Sequence, residues 1–167
     1  SVTLKEMAAS ISTREETVAI PLNDFVASYI GVARDERDAR ELLYGDFYYT
    51  ADPAKVAGLT PAIPANLNTD ILLSNNHYVA LERANVNVAD SLLRVEGQRI
   101  PTSATANIAN PDPAGILTSH TWLAAHAVAG TNRRLVEYSL RSFMCLPLIG
   151  AADTGAPDLR IGRDVER

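Results

Sequence analysis

A chain of 167 residues, 47% of them hydrophobic and 21% charged, has the composition of a folded domain and not of a disordered one. Its 15 basic and 20 acidic residues give a net charge of −5, so it has no excess of positive charge to neutralise nucleic-acid phosphates. No apolar run approaches the roughly 18 residues that a membrane span needs. These numbers exclude a nucleic-acid partner and a membrane span.

The N-terminal part of the chain has the spacing of amphipathic helices. A short helix is predicted over residues 3–11. Apolar side chains then recur at i, i+3, i+4, i+7 and i+8 from Leu22 to Ile30, which predicts a second helix. We expect Gly31 to interrupt that helix, and a third, short helix to end near Gly45.

Two proline-containing stretches without periodicity predict long surface loops. The first covers residues 46–68 and begins with three aromatic residues, Phe47–Tyr49, which we expect to fix it to the core. The second covers residues 99–115. Between them, helices are predicted over residues 69–81 and 88–95, with Asn85 as a left-handed residue that ends the first of these two.

The C-terminal part is predicted to contain two more helices. One runs from Gly115 to Ala129 after Pro113, and the next leads to Pro147. The remainder is polar and rich in glycine, without a packing pattern. The sequence therefore predicts a mainly α fold: an irregular bundle of about six helices (residues 1–148), with two long Pro-rich loops and an extended C-terminal arm (residues 149–167).

The histidines of the Gly115–Ala129 helix are not spaced as a metal site. His120 and His126 are six residues apart, so their side chains diverge by about 120° around a helix. Trp122 and His126 lie at i, i+4, which favours a contact between their rings. His126 is also near the helix C-terminus, where a protonated imidazole is stabilised by the macrodipole. Cys145 lies between apolar neighbours, and we expect a buried, inert thiol there.

The order of these segments resembles the helical domains of planctomycete-type cytochrome c proteins. An acidic residue followed by aromatic residues comes after a helix, and some tens of residues later come Gly-x-Leu-Thr, a helix, an arginine-containing turn, and a helix that closes on Leu-Cys-x-Pro. The resemblance covers residues 41–147. The matching residues are Gly115, Leu117, Thr118, Arg133, Arg134, Cys145 and Pro147.

The resemblance implies a non-catalytic helical subunit or domain of an exported, periplasmic or extracellular cytochrome-associated redox assembly. One cysteine cannot form the Cys-x-x-Cys-His motif that attaches a haem, so the chain binds no haem covalently, and we expect the haem in a partner or flanking domain. Protein partners, in a hetero- or homo-oligomer, are expected to bind the C-terminal arm and the long loops. If a partner haem meets this chain, the candidates for axial contact are His77, His126 and Met144.

Two alternatives stay open at this point. One is a hydrolase or lyase-type enzyme whose site lies between the two long loops, with His77 or His126 as general base and Tyr48, Tyr49 or Asp46 nearby. It predicts a deep pocket and a histidine with a perturbed pKa. The other is an oligomeric shell or interaction protein, which predicts a large apolar interface.

Overall fold

The computed structural model describes residues 2–13, 16, 19–52, 55, 73–103, 106–127 and 132–151. The chain divides into two units, residues 1–125 and residues 126–167. Within the described residues helices predominate, and four short strands form two antiparallel pairs. The predicted mainly helical class is confirmed at this level, and the small sheets are an addition that the sequence did not predict.

In its described part the first unit has five helices with both ends described, the last of which extends one residue beyond the boundary, together with four strands and two 3₁₀ turns. The second unit contains two further helices in its described part. In chain order the elements are α1 (Val2–Ser12), α2 (Asp24–Arg34), α3 (Glu41–Tyr44), β1 (Phe47–Ala51), α4 (Asn76–Arg83), a 3₁₀ turn (Ala89–Ser91), β2 (Leu92–Glu96), β3 (Arg99–Pro101), β4 (Asn107–Ala109), a second 3₁₀ turn (Gly115–Thr118), α5 (His120–His126), α6 (Asn132–Met144) and α7 (Leu148–Ala151).

Helix α2 is the centre of the core of the first unit. Asn23 caps its N-terminus by accepting a hydrogen bond from the N–H of Val26 at 3.0 Å. The helix does not stop at Gly31, as the sequence led us to expect, but continues to Arg34. A Cβ at position 31 would lie 2.3 Å from the ring of Tyr49. This glycine therefore permits close packing of β1 on the helix and does not end it.

Strands β1 and β2 replace one predicted helix and part of one predicted loop. Residues 88–95 were predicted to be helical, but Leu92–Glu96 pairs antiparallel with Phe47–Ala51. Leu92 is buried and Leu93 is 44% exposed, which is the alternation of a strand and not the spacing of a helix. Phe47 and Tyr49 are buried, so the expectation that the aromatic start of the first loop is fixed to the core is confirmed. Residues 53, 54 and 56–68, most of that predicted loop, lie outside the described part, as do residues 69–72 at the start of the helix predicted over 69–81.

The second predicted loop also contains regular structure. Strands β3 and β4 pair antiparallel, with Ile100 opposite Ile108. Asn85 has φ of 53°, which confirms the left-handed stop after α4. The single helix predicted from Gly115 to Ala129 is instead a 3₁₀ turn followed by α5, because Ser119 is extended (ψ 150°) between them.

Helix α6 of the second unit ends at a residue in the left-handed region. Cys145 has φ of 53°, and the N–H of Leu146 donates to the carbonyl oxygen of Leu140 at 3.2 Å, which satisfies one of the last carbonyls of the helix. The next helix, Leu148–Ala151, occupies the first residues of the predicted arm. Residues 152–167, the rest of that arm, lie outside the described part. None of the helices among the residues described is long and apolar enough to cross a membrane.

Candidate functional site

A cavity of about 60 Å³ lies inside the first unit. Its wall is formed by residues of α2, β1 and α4, by Gln98, and by the segment from Gly115 to His120. Tyr48, at the start of the first predicted loop, and His120, just after the end of the second, both line it. The described lining thus includes the start of the first predicted loop and Gly115 of the second, and its histidine is His120, not His77 or His126 of the enzyme hypothesis.

The carboxylate of Asp24 holds the N-terminus of α5 against the N-terminus of α2. It accepts hydrogen bonds from the backbone N–H groups of His120 at 2.6 Å and Thr121 at 3.1 Å, and from Phe25 at 2.9 Å. The first N–H groups of a helix have no partner within the helix, and a negative charge is stabilised there. Asp24 thus fixes the position of the cavity wall that contains His120.

Asn75 ties helix α4 to the same point. Its side-chain oxygen accepts from the N–H of Asp24 at 3.1 Å, and its side-chain nitrogen donates to the hydroxyl of Thr121 at 2.9 Å. Both ends of the amide are used, so three helices are joined by one pair of side chains, Asp24 and Asn75.

Gln98 joins further segments of the cavity wall through hydrogen bonds of its side-chain amide. Its side chain is buried, and the amide nitrogen donates to the carbonyl oxygens of Phe47 at 3.0 Å and Gly115 at 2.8 Å. Its amide oxygen accepts from the hydroxyl of Thr118 and from the side chain of Asn110 at 3.3 Å. Every hydrogen-bonding group of this amide has a partner, and the strand, the 3₁₀ turn and the second predicted loop are linked through it.

The hydroxyls of Tyr78, which lines the cavity, and of Tyr49 are hydrogen-bonded to other parts of the first unit. Tyr78 donates its hydroxyl to the carbonyl oxygen of Tyr49, and Tyr49 donates its own to the carboxylate of Asp35 at 2.6 Å. Burial, with this bond to Asp35, raises the pKa of Tyr49 to about 12. The hydrogen bond from the Arg34 guanidinium lowers the pKa of Asp35, so that carboxyl is ionised at neutral pH. These groups are structural partners of one another.

Tyr48 and His120 differ from the other residues that line the cavity. The hydroxyl of Tyr48 and Nδ1 of His120 are buried and have no hydrogen-bond partner among the described residues. Burial raises the pKa of Tyr48 above its usual range, so its hydroxyl stays protonated. Both atoms are closed off from a water-sized molecule, so neither is exposed to the cavity that their residues line.

The three residues predicted for haem contact lie on three helices and are not equally accessible. His77, on α4, has a buried Nε2 and packs its ring on Tyr78, with 3.7 Å between ring centroids. Its pKa is lowered to about 4 by burial. His126, at the end of α5, is buried and stacks on Tyr138 at 4.2 Å. Met144, at the end of α6, is 66% exposed.

The condition of one expectation, a protonated His126, is not met at neutral pH, and the expectation that Cys145 is buried is wrong. Burial, aided by the charge of Arg134, lowers the pKa of His126 to about 4, so its imidazole is neutral at physiological pH and gains nothing from the helix macrodipole. Cys145 was expected to be buried but is exposed, because it is the left-handed residue at which α6 ends. In the part of the chain that the structure describes, no three metal-ligating side chains come together.

Sequence reasoning did not find Asp24, Asn75 and Gln98, and it set His120 aside. The signal for Asp24 was available in part, because an acidic residue directly after a capping asparagine is typical of a helix start. Gln98 has no such signal, since its partners come from three separate segments of the chain.

Comparison of the chain with models of protein families, with curated proteins and with solved structures finds no match to any of them. The likeness to the planctomycete-type cytochrome c proteins therefore rests on its sequence motifs alone.

Proposed function

We propose that the chain is a non-catalytic helical domain or subunit of an exported, cytochrome-associated redox assembly, in which it holds a haem-bearing partner or flanking domain in position for electron transfer. The predicted arm (residues 149–167) and the proline-rich stretches would add contacts with that partner. The observation that carries the proposal is the outer face of α6, defined by Arg133, Val136, Arg141 and Met144.

The outer face of α6 is exposed over the length of the helix. Val136 is 51% exposed and Met144 is 66% exposed, and none of the described side chains of this 13-residue helix is fully buried. The two exposed arginines lie on the same side of the helix as Val136 and Met144. Exposed apolar side chains bordered by charge are typical of a surface that a partner covers.

The chemistry of this face suits a domain that carries haem. Of the three candidates for haem contact, Met144 is the one whose side chain is mostly exposed, and a methionine thioether is a usual axial ligand. His77 is partly buried and His126 is buried, and both are neutral at physiological pH, which fits a role in packing. The haem itself, in the partner, would carry the electron.

The residues that carry the resemblance also favour a scaffold. A Cβ on Gly115 would lie 2.0 Å from the carbonyl oxygen of Leu42, and Thr118 bonds Gln98. Cys145 ends α6. Each of the three has a part in the architecture. The cavity of about 60 Å³ is also far smaller than the roughly 300 Å³ and more of ordinary ligand sites, which does not favour the enzyme alternative.

Visible absorption of the purified chain and of its native complex tests the proposal. We expect no Soret band from the chain alone and a Soret band from the complex isolated through a tag on this chain. The absence of a Soret band from both would refute the proposal.

Variants of the outer face of α6 test the docking surface. Met144→Ala, Val136→Ser and Arg141→Ala should reduce recovery of the haem-bearing partner. The matched control is Ile108→Ser, since Ile108 is also apolar and 53% exposed but lies on β4. Equal recovery with all variants would exclude this face. Light scattering distinguishes the oligomeric alternative: a dimer of the chain that Val136→Ser dissociates, with no haem partner, would favour it.

A further inference from the structure

The hydrogen bonds at the two ends of the β1–β2 sheet show which backbone groups of β2 point away from β1. At one end the N–H of Asp52 donates to the carbonyl oxygen of Ser91 at 2.8 Å. At the other end the N–H of Gly97 donates to the carbonyl oxygen of Asp46 at 2.8 Å. Both bonds continue the register of the two strands. Because hydrogen-bonded and non-hydrogen-bonded pairs alternate in an antiparallel sheet, the odd-numbered residues of β2 bond β1 and the even-numbered ones direct their N–H and C=O groups outward.

Side chains bond part of each outer edge of this sheet. On β1, the outward carbonyl oxygens of Phe47 and Tyr49 accept from side chains that belong to the cavity wall. On β2, the outward carbonyl oxygen of Leu92 accepts from the guanidinium of Arg34. Helix α2 therefore holds one end of β2, and the rest of the outward edge of β2 lies beyond that contact.

The outer edge of β2, defined by the N–H and C=O groups of Arg94 and Glu96, has no hydrogen-bond partner in the part of the chain that the structure describes. The strand has no proline and no bulge that would prevent pairing. Its side chains are exposed on both faces of the sheet, since Glu96 is 70% exposed on one face and Leu93 is 44% exposed on the other. This edge is therefore open to another strand.

Charge selects the register in which a second copy of the chain can pair with this edge. A two-fold axis places β2 antiparallel to itself, with outward residues opposite outward residues. Two of the possible registers set Arg94 opposite Arg94 or Glu96 opposite Glu96, and like charges directly opposite are destabilising. The register centred on Leu93 needs a carbonyl oxygen that Arg34 already holds. The register centred on Val95 sets Arg94 opposite Glu96 of the second copy twice, and forms four backbone hydrogen bonds.

We propose that β2 pairs with β2 of a second copy of the chain, in the register centred on Val95, to form a four-stranded antiparallel sheet. Arg94 is already held in place, because its guanidinium lies 3.8 Å from the centroid of the Phe47 ring and also bonds Glu96 of its own copy. The two arginines and two glutamates of the dimer thus form a square of alternating charge. On the other face of the sheet, Val95 contacts its equivalent and Leu93 lies diagonally from it, so the exposed Leu93 becomes covered.

Disulfide formation at Val95 tests the register. Val95→Cys is made with Cys145→Ser, since Cys145 is the only cysteine, and it places two thiols at a non-hydrogen-bonded pair whose Cα atoms are about 4.5 Å apart. Leu93→Cys is the matched control on the same face of the strand, because its Cα would lie about 14 Å from its equivalent. We expect a covalent dimer from Val95→Cys alone under mild oxidation. Its absence, or equal cross-linking of Leu93→Cys, would overturn the proposal.

Sedimentation equilibrium of the unmodified chain measures the association itself and does not depend on the folding of a variant. We expect a monomer–dimer equilibrium that shifts toward the dimer as the concentration rises. A chain that stays monomeric up to about 1 mM would overturn the proposal, and a strand of another protein would then be the occupant of the edge.

Two charge variants locate the contact. Glu96→Lys sets like charges opposite each other at two positions and should weaken the dimer at least about tenfold. Glu6→Lys changes the net charge by the same amount at an exposed position of α1 and should leave the dimer unchanged. Equal effects of both variants would contradict the assignment. A dimer that Val136→Ser dissociates and Glu96→Lys does not would place the contact on α6 and would also overturn it, whatever the outcome for the haem-bearing partner.

Discussion

Gly115→Ala should be among the most destabilising single changes in the first unit. Gly115 has φ of 54°, a region that costs alanine about 1 kcal/mol. Its new Cβ would lie 2.0 Å from the carbonyl oxygen of Leu42, and because that atom is backbone, the strain adds about 2 kcal/mol. Movement of the turn would also weaken the bonds of Gly115 to Gly45 (3.1 Å) and Gln98 (2.8 Å), at about 1 kcal/mol for the two together. The expected loss is about 4 kcal/mol.

Urea unfolding followed by tryptophan fluorescence measures this loss. Trp122 is the only tryptophan, and its ring stacks on Phe25 with 5.5 Å between centroids, so it reports on the first unit. Gly97→Ala is the control, because Gly97 has φ of 82° but, apart from its chain neighbours, no heavy atom of the described residues lies within 4 Å of a Cβ built there. It should cost only about 1 kcal/mol. If the two variants unfold at the same urea concentration with the same slope, the argument from close packing against Leu42 is refuted.

Three further changes test other parts of the structure. Gly31→Ala should destabilise the first unit by about 2 kcal/mol despite the helix preference of alanine, because its Cβ would lie 2.3 Å from the buried Tyr49 ring. In urea unfolding, the losses in free energy of unfolding from Gly31→Ala and Tyr49→Leu should not be additive, and additive losses would contradict this contact. Cys145→Gly should stabilise the second unit by about 1 kcal/mol, since the φ of residue 145 is 53°, and should therefore raise its thermal midpoint measured by far-UV circular dichroism. A lower midpoint would contradict the role of residue 145 as the helix cap. The pKa of His77 is about 4 in the folded chain and 6.5 in the unfolded chain, so as the pH falls from 6.5 to 4 the unfolded state takes up a proton first and the folded state loses stability. His77→Gln should reduce this loss of stability. An NMR titration midpoint near 6.5 for His77 would refute this explanation.

The sequence predicted those elements whose signals are local. Helix α2 has a capping asparagine and a continuous apolar face, and it begins where expected. Its end was misplaced because Gly31 fits the ring of Tyr49, a contact made 18 positions away in the chain. Strand β2 was misplaced because its short apolar run fits both a helical and a strand period, and the partner that decides between them is Phe47–Ala51, some 40 residues earlier.

The candidate site could be predicted even less well, for the same physical reason. Gln98 bonds Phe47, Gly115, Thr118 and Asn110, none of which has a fixed spacing from it that a sequence pattern could reveal. His120 was discounted because it forms no chelating pair with His126, a sound argument against a metal but not against a hydrogen-bonding site.

The polar groups that build the cavity also determine what it can do. The Asp24 carboxylate is committed to three backbone N–H groups, so it cannot act as a base without releasing the start of α5. The outer face of α6 belongs to the second unit, and the cavity is lined by residues of the first. Met144→Ala changes no residue that lines the cavity, so loss of the haem partner in that variant would test the docking surface alone.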